Sequence, residues 1–489
     1  MTMMTHLLAG SSFAIGALSI FGLPQTPAPQ EPVAVQIDLS KTHQPMLGFG
    51  GTQTYNGDAV LAYGERDRVY RALFSDLKLD FLRLRNFHDY PGQQETFENM
   101  LRDYVAGATK YSDAASRGKK GPVKLLFTSW SPPGRLKNNG LLSGRSDGTD
   151  KGLANVTLKR GPDGKYVYGE FAEWWKESLL KFKSVTGRLP DLITLQNELD
   201  IAVAYEGCEF LATEGKTPEG YEMAGYAETL AATHAVLKKE FGATMPGITG
   251  PETFTIRLDS GDSQVKRLLD PETDAGKKAL GLLQNISFHI YGNGAEEASP
   301  AKYRTALARL KAVYGETARQ KPFMQTEFLE GVDMVQQASM ISDAFAFGDV
   351  SAYFVWIAAR GVHQPGNALV YYNQLDGSVE RRGRFYAIKH FSNFIGAGWH
   401  RVDASTTDAD VRVSAYKKDD NSEAALVLVN PGTKPLTFKL PPAATGFKNP
   451  KLYRSTETEA GEKFREIGEV KDGVVTLPGR GVATLHWEK

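Results

Sequence analysis

Two stretches of the 489-residue chain share one grammar, a short apolar run that ends in a glutamate. In the first, Leu192-Ile193-Thr194-Leu195 leads into Gln196-Asn197-Glu198-Leu199-Asp200. In the second, Lys321-Pro322-Phe323-Met324-Gln325-Thr326 leads into Glu327. β-Branched and leucine residues bounded by Pro190 are expected to form a buried strand, with polar residues where it stops. Glycosidic-bond cleavage needs such a pair: one carboxylic acid to protonate the leaving oxygen, and one carboxylate to attack or to stabilise positive charge. The bland alternative is that both glutamates are satisfied structural carboxylates, so the elements around them have to decide.

Other strand ends supply more candidates: Arg83, Trp130, Asn197, His289, Tyr291 and Trp356. Asn197 could bond a sugar hydroxyl. His289 and Tyr291 could bond Glu327 and hold it ionised, and Trp130 and Trp356 could stack on sugar rings. Each has a plainer reading. Arg83 could only neutralise nearby carboxylates, His289 could be structural, and Trp356 could belong to the core.

These residues are spaced along an alternation of strand and helix patterns. Strand candidates begin at Leu47, Leu79, Val123, Leu192, Gly247, Ile286, Lys321 and Ser351, and nearly all precede a helical period such as 66–77, 171–185 or 335–347. Eight such units predict a (β/α)8 TIM barrel over 47–397, with its chemistry at the C-terminal strand ends. Gly48 and Gly50 lack the third glycine of a dinucleotide fingerprint and read as a close backbone approach. Residues 140–169, rich in Gly, Asp and Lys, form a long loop after the third strand. From 398 to 489 the helical period is lost, and short strands separated by Pro, Gly, Asn and Asp predict a β-sandwich. The alternating strand at 33–39 has no helix partner and could join it, so 33–46 is assigned to that side sandwich.

Lys+Arg and Asp+Glu both total 57, which argues against a partner bound by phosphate neutralisation, so no nucleic acid is expected. The single cysteine, Cys208, permits no intrachain disulfide and reads as a packed residue. No Cys/His cluster has zinc spacing, and neither metal nor cofactor is expected. Leu7 to Leu23 is apolar, and a proline-rich segment follows to Pro32. Residues 1–32 therefore read as a signal peptide and linker, giving a secreted or periplasmic protein without a membrane association once the signal is removed. An uncleaved anchor is the alternative, since the first residues carry no Lys or Arg.

Gly48-Phe49-Gly50-Gly51, Trp130-Ser131-Pro132-Pro133, Gln196-Asn197-Glu198, His289-Ile290-Tyr291-Gly292 and Thr326-Glu327, in this order, resemble glycoside hydrolase family 30. The resemblance covers nearly the whole mature chain. It implies a (β/α)8 barrel with a side β-sandwich built from both chain ends, and a retaining mechanism with Glu198 as acid/base and Glu327 as nucleophile. Tyr205-Glu206-Gly207-Cys208-Glu209-Phe210 and Ser351-Ala352-Tyr353-Phe354-Val355-Trp356 look most like the bacterial glucuronoxylanase branch. Tyr205 and Arg360 are the further substrate-binding candidates that this likeness implies. Two departures stand out. Leu199 replaces the usual proline after the acid/base. The stretch Ile357-Ala358-Ala359-Arg360-Gly361-Val362 has one arginine and no tyrosine where that branch holds a uronate, which leaves uronate dependence open.

The expectation is thus a monomeric, retaining β-glycoside hydrolase acting on a polysaccharide, with glucuronoxylanase-like endo-β-1,4-xylanase activity first. β-1,6-Glucanase, β-1,6-galactanase and glucosylceramidase activities are alternatives. A carbohydrate-binding protein on an inactive barrel is the alternative of another class.

Overall fold

The computed structural model describes residues 31–54, 60, 63–112, 121–256, 263–292, 300–328, 332–364, 366–442, 447–458 and 461–489. The expected signal peptide lies outside the described residues. After a first strand, β1 (Val33–Met46), eight parallel strands close into a barrel. They are β2 (Gly48–Gln53), β3 (Phe81–Asn86), β4 (Lys124–Ser129), β5 (Leu192–Thr194), β6 (Gly247–Thr253), β7 (Asn285–His289), β8 (Phe323–Glu327) and β9 (Val350–Trp356), with β9 pairing back onto β2. At least one helix follows each: α1 (Arg66–Tyr70), α2 (Gln94–Tyr111), α3 (Tyr168–Thr186), α4 (Tyr226–Phe241), α5 (Gln264–Leu268), α6 (Asp274–Leu282), α7 (Pro300–Gln320), α8 (Met334–Gly348) and α9 (Gly383–Ser392).

The barrel interior has an apolar floor of Phe81, Leu126, Leu192, Met324, Ala352 and Phe354. Side chains alternate along a strand, so the next inward residues lie two positions on. From Phe81 that is Arg83, and from Leu126 it is Thr128; Arg83 Nε donates to Thr128 Oγ1 at 3.3 Å. The interior thus turns polar one step above the floor, toward the C-terminal mouth. Glycine in β2 is required by closeness: a Cβ on Gly50 would lie 2.3 Å from the Phe354 ring.

One strand is shorter than its apolar run suggests. β5 stops at Thr194, and Glu198 lies four residues beyond it rather than at its end. The segment is pulled sideways onto neighbouring strand ends. Asn197 N–H donates to the Ser129 carbonyl at 2.7 Å, and Glu198 N–H donates to the Glu252 carbonyl at 2.9 Å.

After β9, three short strands form a small sheet: β10 (Ala359–Gly361), β11 (Val370–Tyr372) and β12 (Val379–Arg381). The tail then contributes β13 (Trp399–Thr406), β14 (Arg412–Lys418), β15 (Glu423–Asn430), β16 (Leu436–Lys439), β17 (Lys451–Thr456), β18 (Arg465–Glu469), β19 (Val474–Leu477) and β20 (Gly481–Glu488). Their order is β18-β17-β20-β15-β14-β13-β1-β16-β19. β1 is antiparallel to β13 and parallel to β16, so the early strand does join the tail in a side β-sandwich. It ends at Met46.

β15 explains why the sandwich and barrel are one body. Leu426 and Leu428 point into the sandwich core, whereas Val427 and Val429 pack with the barrel residues. A strand buried on both faces reads as a continuous apolar run, as Ala424 to Val429 does. Polar contacts tie the same seam. Asp343 on α8 takes Arg304 at 3.0 Å and Arg412 at 3.3 Å, and Gln44 donates to the Phe345 and Val350 carbonyls while accepting from Arg401.

Candidate active site

Glu198, His289 and Glu327 meet at the barrel mouth. A carboxylate oxygen from each glutamate and a ring nitrogen of His289 all lie within 4.8 Å of one another. All three side chains are buried. Glu327 arrives at the end of β8, and Arg83 rises from β3 to meet it: Nη1 donates to Oε2 at 2.6 Å. The Tyr291 hydroxyl donates to the other oxygen, Oε1, at 3.1 Å. Both oxygens of Glu327 are therefore held by donors, the arrangement that fixes a carboxylate's direction and favours its charged form. Arg83 also donates from Nη2 to Asn197 Oδ1 at 2.6 Å. The amide expected to bond a sugar hydroxyl thus spends its oxygen on the arginine that holds Glu327.

His289 differs from its expected partner. Its Nδ1 bonds Glu198 Oε1 at 2.9 Å, and only its Nε2 looks toward Glu327, at 3.9 Å. The reason lies in position. His289 is the last residue of β7, and the loop carrying Glu198 leans across β6 toward it. The second Glu198 oxygen, Oε2, accepts from the Tyr205 hydroxyl at 2.6 Å. Tyr205 is 46% exposed, so it borders the cleft as well as touching the carboxylate.

A residue that sequence reasoning passed over completes the cluster. Glu252, near the end of β6, is 0% exposed. Its Oε1 lies 3.1 Å from Arg83 Nη2 and 3.7 Å from His289 Nε2. The signal was present: Gly247 to Glu252 is another short strand running into a glutamate. Glu198 and Glu252 also share a backbone feature, with φ of 48° and 59°, in the left-handed region that non-glycine residues seldom occupy.

The charges respond to this crowding. Burial raises Glu327, the neighbouring Glu198 adds to that, and His289 and Arg83 oppose it. Burial would also raise Glu252, but Arg83, with His289, overrides it and holds that carboxyl at about 2. For His289, burial works downward, yet the Glu327 charge and the contacts with Glu198 and Glu252 lift it to about 9. Asp200, two residues past Glu198, is pushed by burial to about 7. Glu198, His289 and Glu327 are spaced closely enough to share a metal ion, but an imidazolium at His289 offers no lone pair, and the Arg83 guanidinium beside Glu327 opposes a cation.

The two tryptophans expected as sugar platforms lie against each other, ring centroids 5.7 Å apart. Trp130 is buried and carries the Arg83 guanidinium 4.5 Å above its ring, so it supports the charge cluster. Trp356 is only partly buried and is the one able to offer a face to the cleft. Arg360 sits on β10, 9% exposed, and parallel pairing sets it beside Tyr371 and sets Gly361 beside Tyr372 on β11. The tyrosines missing from the linear stretch are thus supplied by the adjacent strand.

The loop after β4 buttresses Tyr205. Lys137 Nζ, buried and lowered by that burial to about 8, reaches Ser131 Oγ and the carbonyls of Leu142, Ser143 and Gly207. Gly144 N–H donates to the Tyr205 carbonyl at 2.9 Å. Arg85 pairs with Glu206 beside it. Cys208 is buried in the same region.

A closed (β/α)8 barrel, a side sandwich from both chain ends and paired glutamates at the mouth agree with the architecture that the motif resemblance implies. No family model matches the sequence. Over 199 residues the chain is 25% identical to glucuronoxylanase XynC of Bacillus subtilis (strain 168), covering 40% of this chain. The match spans 41% of that relative's length. Among solved structures, the family 30 subfamily 8 xylanase Xyn30A of Clostridium acetobutylicum superposes with a TM-score of 0.64 at 23% identity, over 93% of this chain and all of that one. The catalytic domain of the family 30 xylanase C of Talaromyces cellulolyticus gives 0.68 at 19% identity, over 93% of this chain and all of that one. The endo-β-1,6-glucanase BT3312 gives 0.63 at 18%, covering 93% of this chain and 94% of that one. The chain has the fold of glycoside hydrolase family 30.

Proposed function

We propose that the chain is a secreted, retaining β-glycoside hydrolase acting on a polysaccharide, with xylan as the first substrate. The observation that carries this reading is the approach of Glu198 and Glu327 carboxylate oxygens to within 4.8 Å. Retaining glycosidases hold their carboxyl groups about 5–5.5 Å apart, whereas inverting ones leave about 6.5–9.5 Å for a water.

In this reading Glu327, aimed by Arg83 and Tyr291, attacks the anomeric carbon. Glu198 gives its proton to the departing oxygen, and a glycosyl ester forms on Glu327. Ester formation removes the Glu327 charge, and Glu198, now a carboxylate, takes a proton from water that attacks from the vacated side. His289 and Tyr205 hold the Glu198 carboxylate in place in both steps. Two inversions give net retention. A binding protein on an inactive barrel has no use for this pair together with the charges that hold it.

The xylan preference rests on the glucuronoxylanase relative, and one structural neighbour acts on a β-1,6-glucan. A panel of glucuronoxylan, unbranched xylan, β-1,6-glucan and β-1,6-galactan, with products separated by linkage, tests it. Xylo-oligosaccharides are expected; cleavage of the β-1,6-glucan alone would replace xylan with that polymer. Export rests on the apolar run Leu7 to Leu23 and the prolines after it. Among the described residues no helix is long and apolar enough to cross a membrane. N-terminal sequencing of exported protein should start near residues 24–33, and an intact Met1 on cytoplasmic protein would overturn export.

A further inference from the structure

Glu252 has an unusual position for a carboxylate. It is 0% exposed, and neither of its oxygens receives an aligned hydrogen bond. Arg83 Nη2, 3.1 Å away, directs its hydrogen bond to Asn197 instead, so it meets Glu252 only as a charge. A buried carboxylate compensated mainly by the charge of Arg83, with smaller contributions from His289 and Thr326, is expensive for a fold to keep. Its surroundings say what it does there. Its main-chain carbonyl accepts from Glu198 N–H, and its side chain faces the two cations that touch the reacting glutamates: Arg83 on Glu327 and His289 on Glu198.

We propose that Glu252 is a positioning residue: its buried carboxylate anchors Arg83 against Glu327 and keeps His289 charged against Glu198. This deepens the glycosidase reading and rests on it. Charge balance gives the logic. Without Glu252, the two cations Arg83 and His289 would face two carboxyl groups, Glu198 and Glu327. With Glu252 as a third carboxylate, the cluster carries one acidic group more than its two cations balance, and that excess negative charge holds the second ring proton on His289. Glu252 is 0% exposed and so has no surface open to a sugar. Besides these groups, it interacts with the Tyr226 phenol from α4, while Asp200 acts on Glu198 and His289, and Tyr291 on Glu327 and Glu198. None of these adds a cation.

The test is a histidine-nitrogen NMR titration of the full chain, with His289 assigned by its absence in His289→Gln. Wild-type His289 is expected to keep both ring protons through about pH 8. In Glu252→Gln it should lose one at least about one pH unit lower, and the basic limb of kcat/KM should move down by a similar amount. Glu252→Asp, which keeps the charge, should follow the wild type. A purely structural role would lower activity equally at every pH and leave the titration unmoved, and that result in folded Glu252→Gln overturns the proposal. If Glu252→Gln does not fold, the wild-type titration decides: a His289 already neutral at pH 7 overturns it. Wild type that cleaves no glycan counts against the proposed function and leaves the titration readable.

Discussion

Arg83 and Glu327 form a 2.6 Å ion pair from which solvent is excluded, the guanidinium being 0% exposed. The same guanidinium reaches Asn197 and faces Glu252. One planar fork thus joins β3, β6, β8 and the loop after β5, and a lysine cannot reproduce that fork. Arg83→Lys is expected to lower kcat/KM by about 10²–10³ while the protein stays folded. Arg83→Met leaves Glu252 without its main cation and should cost about 3–5 kcal/mol in urea unfolding. Activity within twofold of wild type in Arg83→Lys would show that the fork is dispensable.

Tyr205→Phe removes a single hydroxyl, the one 2.6 Å from Glu198 Oε2. A hydrogen bond of this kind contributes about 0.5–1.5 kcal/mol, so kcat/KM is expected to fall roughly two- to tenfold with no change in thermal midpoint. A loss above about 10³ would give the phenol a chemical part in the reaction.

The barrel was legible because eight apolar runs alternate with helical periods, and the sandwich because that period disappears after residue 398. Glu198 and Glu327 were legible because both follow an apolar run. What the linear chain hides is lateral. β5 ends early since Asn197 and Glu198 bond to Ser129 and Glu252, residues distant in sequence. His289 touches Glu198 rather than Glu327 for the same reason. Tyr371 stands beside Arg360 only through strand pairing. Glu252 also lies near the end of a short strand, but it follows Gly250-Pro251 rather than an unbroken apolar run, so the linear chain did not single it out.

In the proposed mechanism Glu327 attacks in its ionised form, and burial with the nearby Glu198 raises its carboxyl above the ordinary 4.5. Activity should therefore be lost as pH falls through a value above 4.5, and an acidic limb below 4 would contradict this assignment.

Stability has its own pH signature. His289 rises from 6.5 to about 9 on folding, so its contribution is complete below pH 6.5 and lost as pH climbs through about 9. Glu252 falls from 4.5 to about 2, so its contribution is complete above pH 4.5 and lost as pH drops through about 2. Both are complete between pH 4.5 and 6.5. Urea unfolding at pH 6 and pH 9 should show a larger loss for wild type than for His289→Gln. Equal losses would mean that His289 does not carry the added proton.

Arg360, with Tyr371 alongside, is 9% exposed, and burial lowers its pKa against the opposing Tyr371 and Tyr372 phenols, with no carboxylate paired to it among the described residues. A carboxylate on a branched glycan would supply that charge in bidentate form. Arg360→Ala is expected to cut activity on glucuronoxylan at least about tenfold more than on unbranched xylan, a difference of ~1.4 kcal/mol. Equal losses on both would make Arg360 structural.

The assignment of Glu327 as nucleophile and Glu198 as acid/base is tested most directly by azide rescue of Glu198→Ala on an aryl β-glycoside. The activated leaving group needs no proton, so the glycosyl ester on Glu327 should form and accumulate. Azide, fitting the space that Glu198 vacates, should then release it as a β-glycosyl azide, with turnover rising with azide concentration. An α-glycosyl azide, or rescue confined to Glu327→Ala, would contradict the assignment.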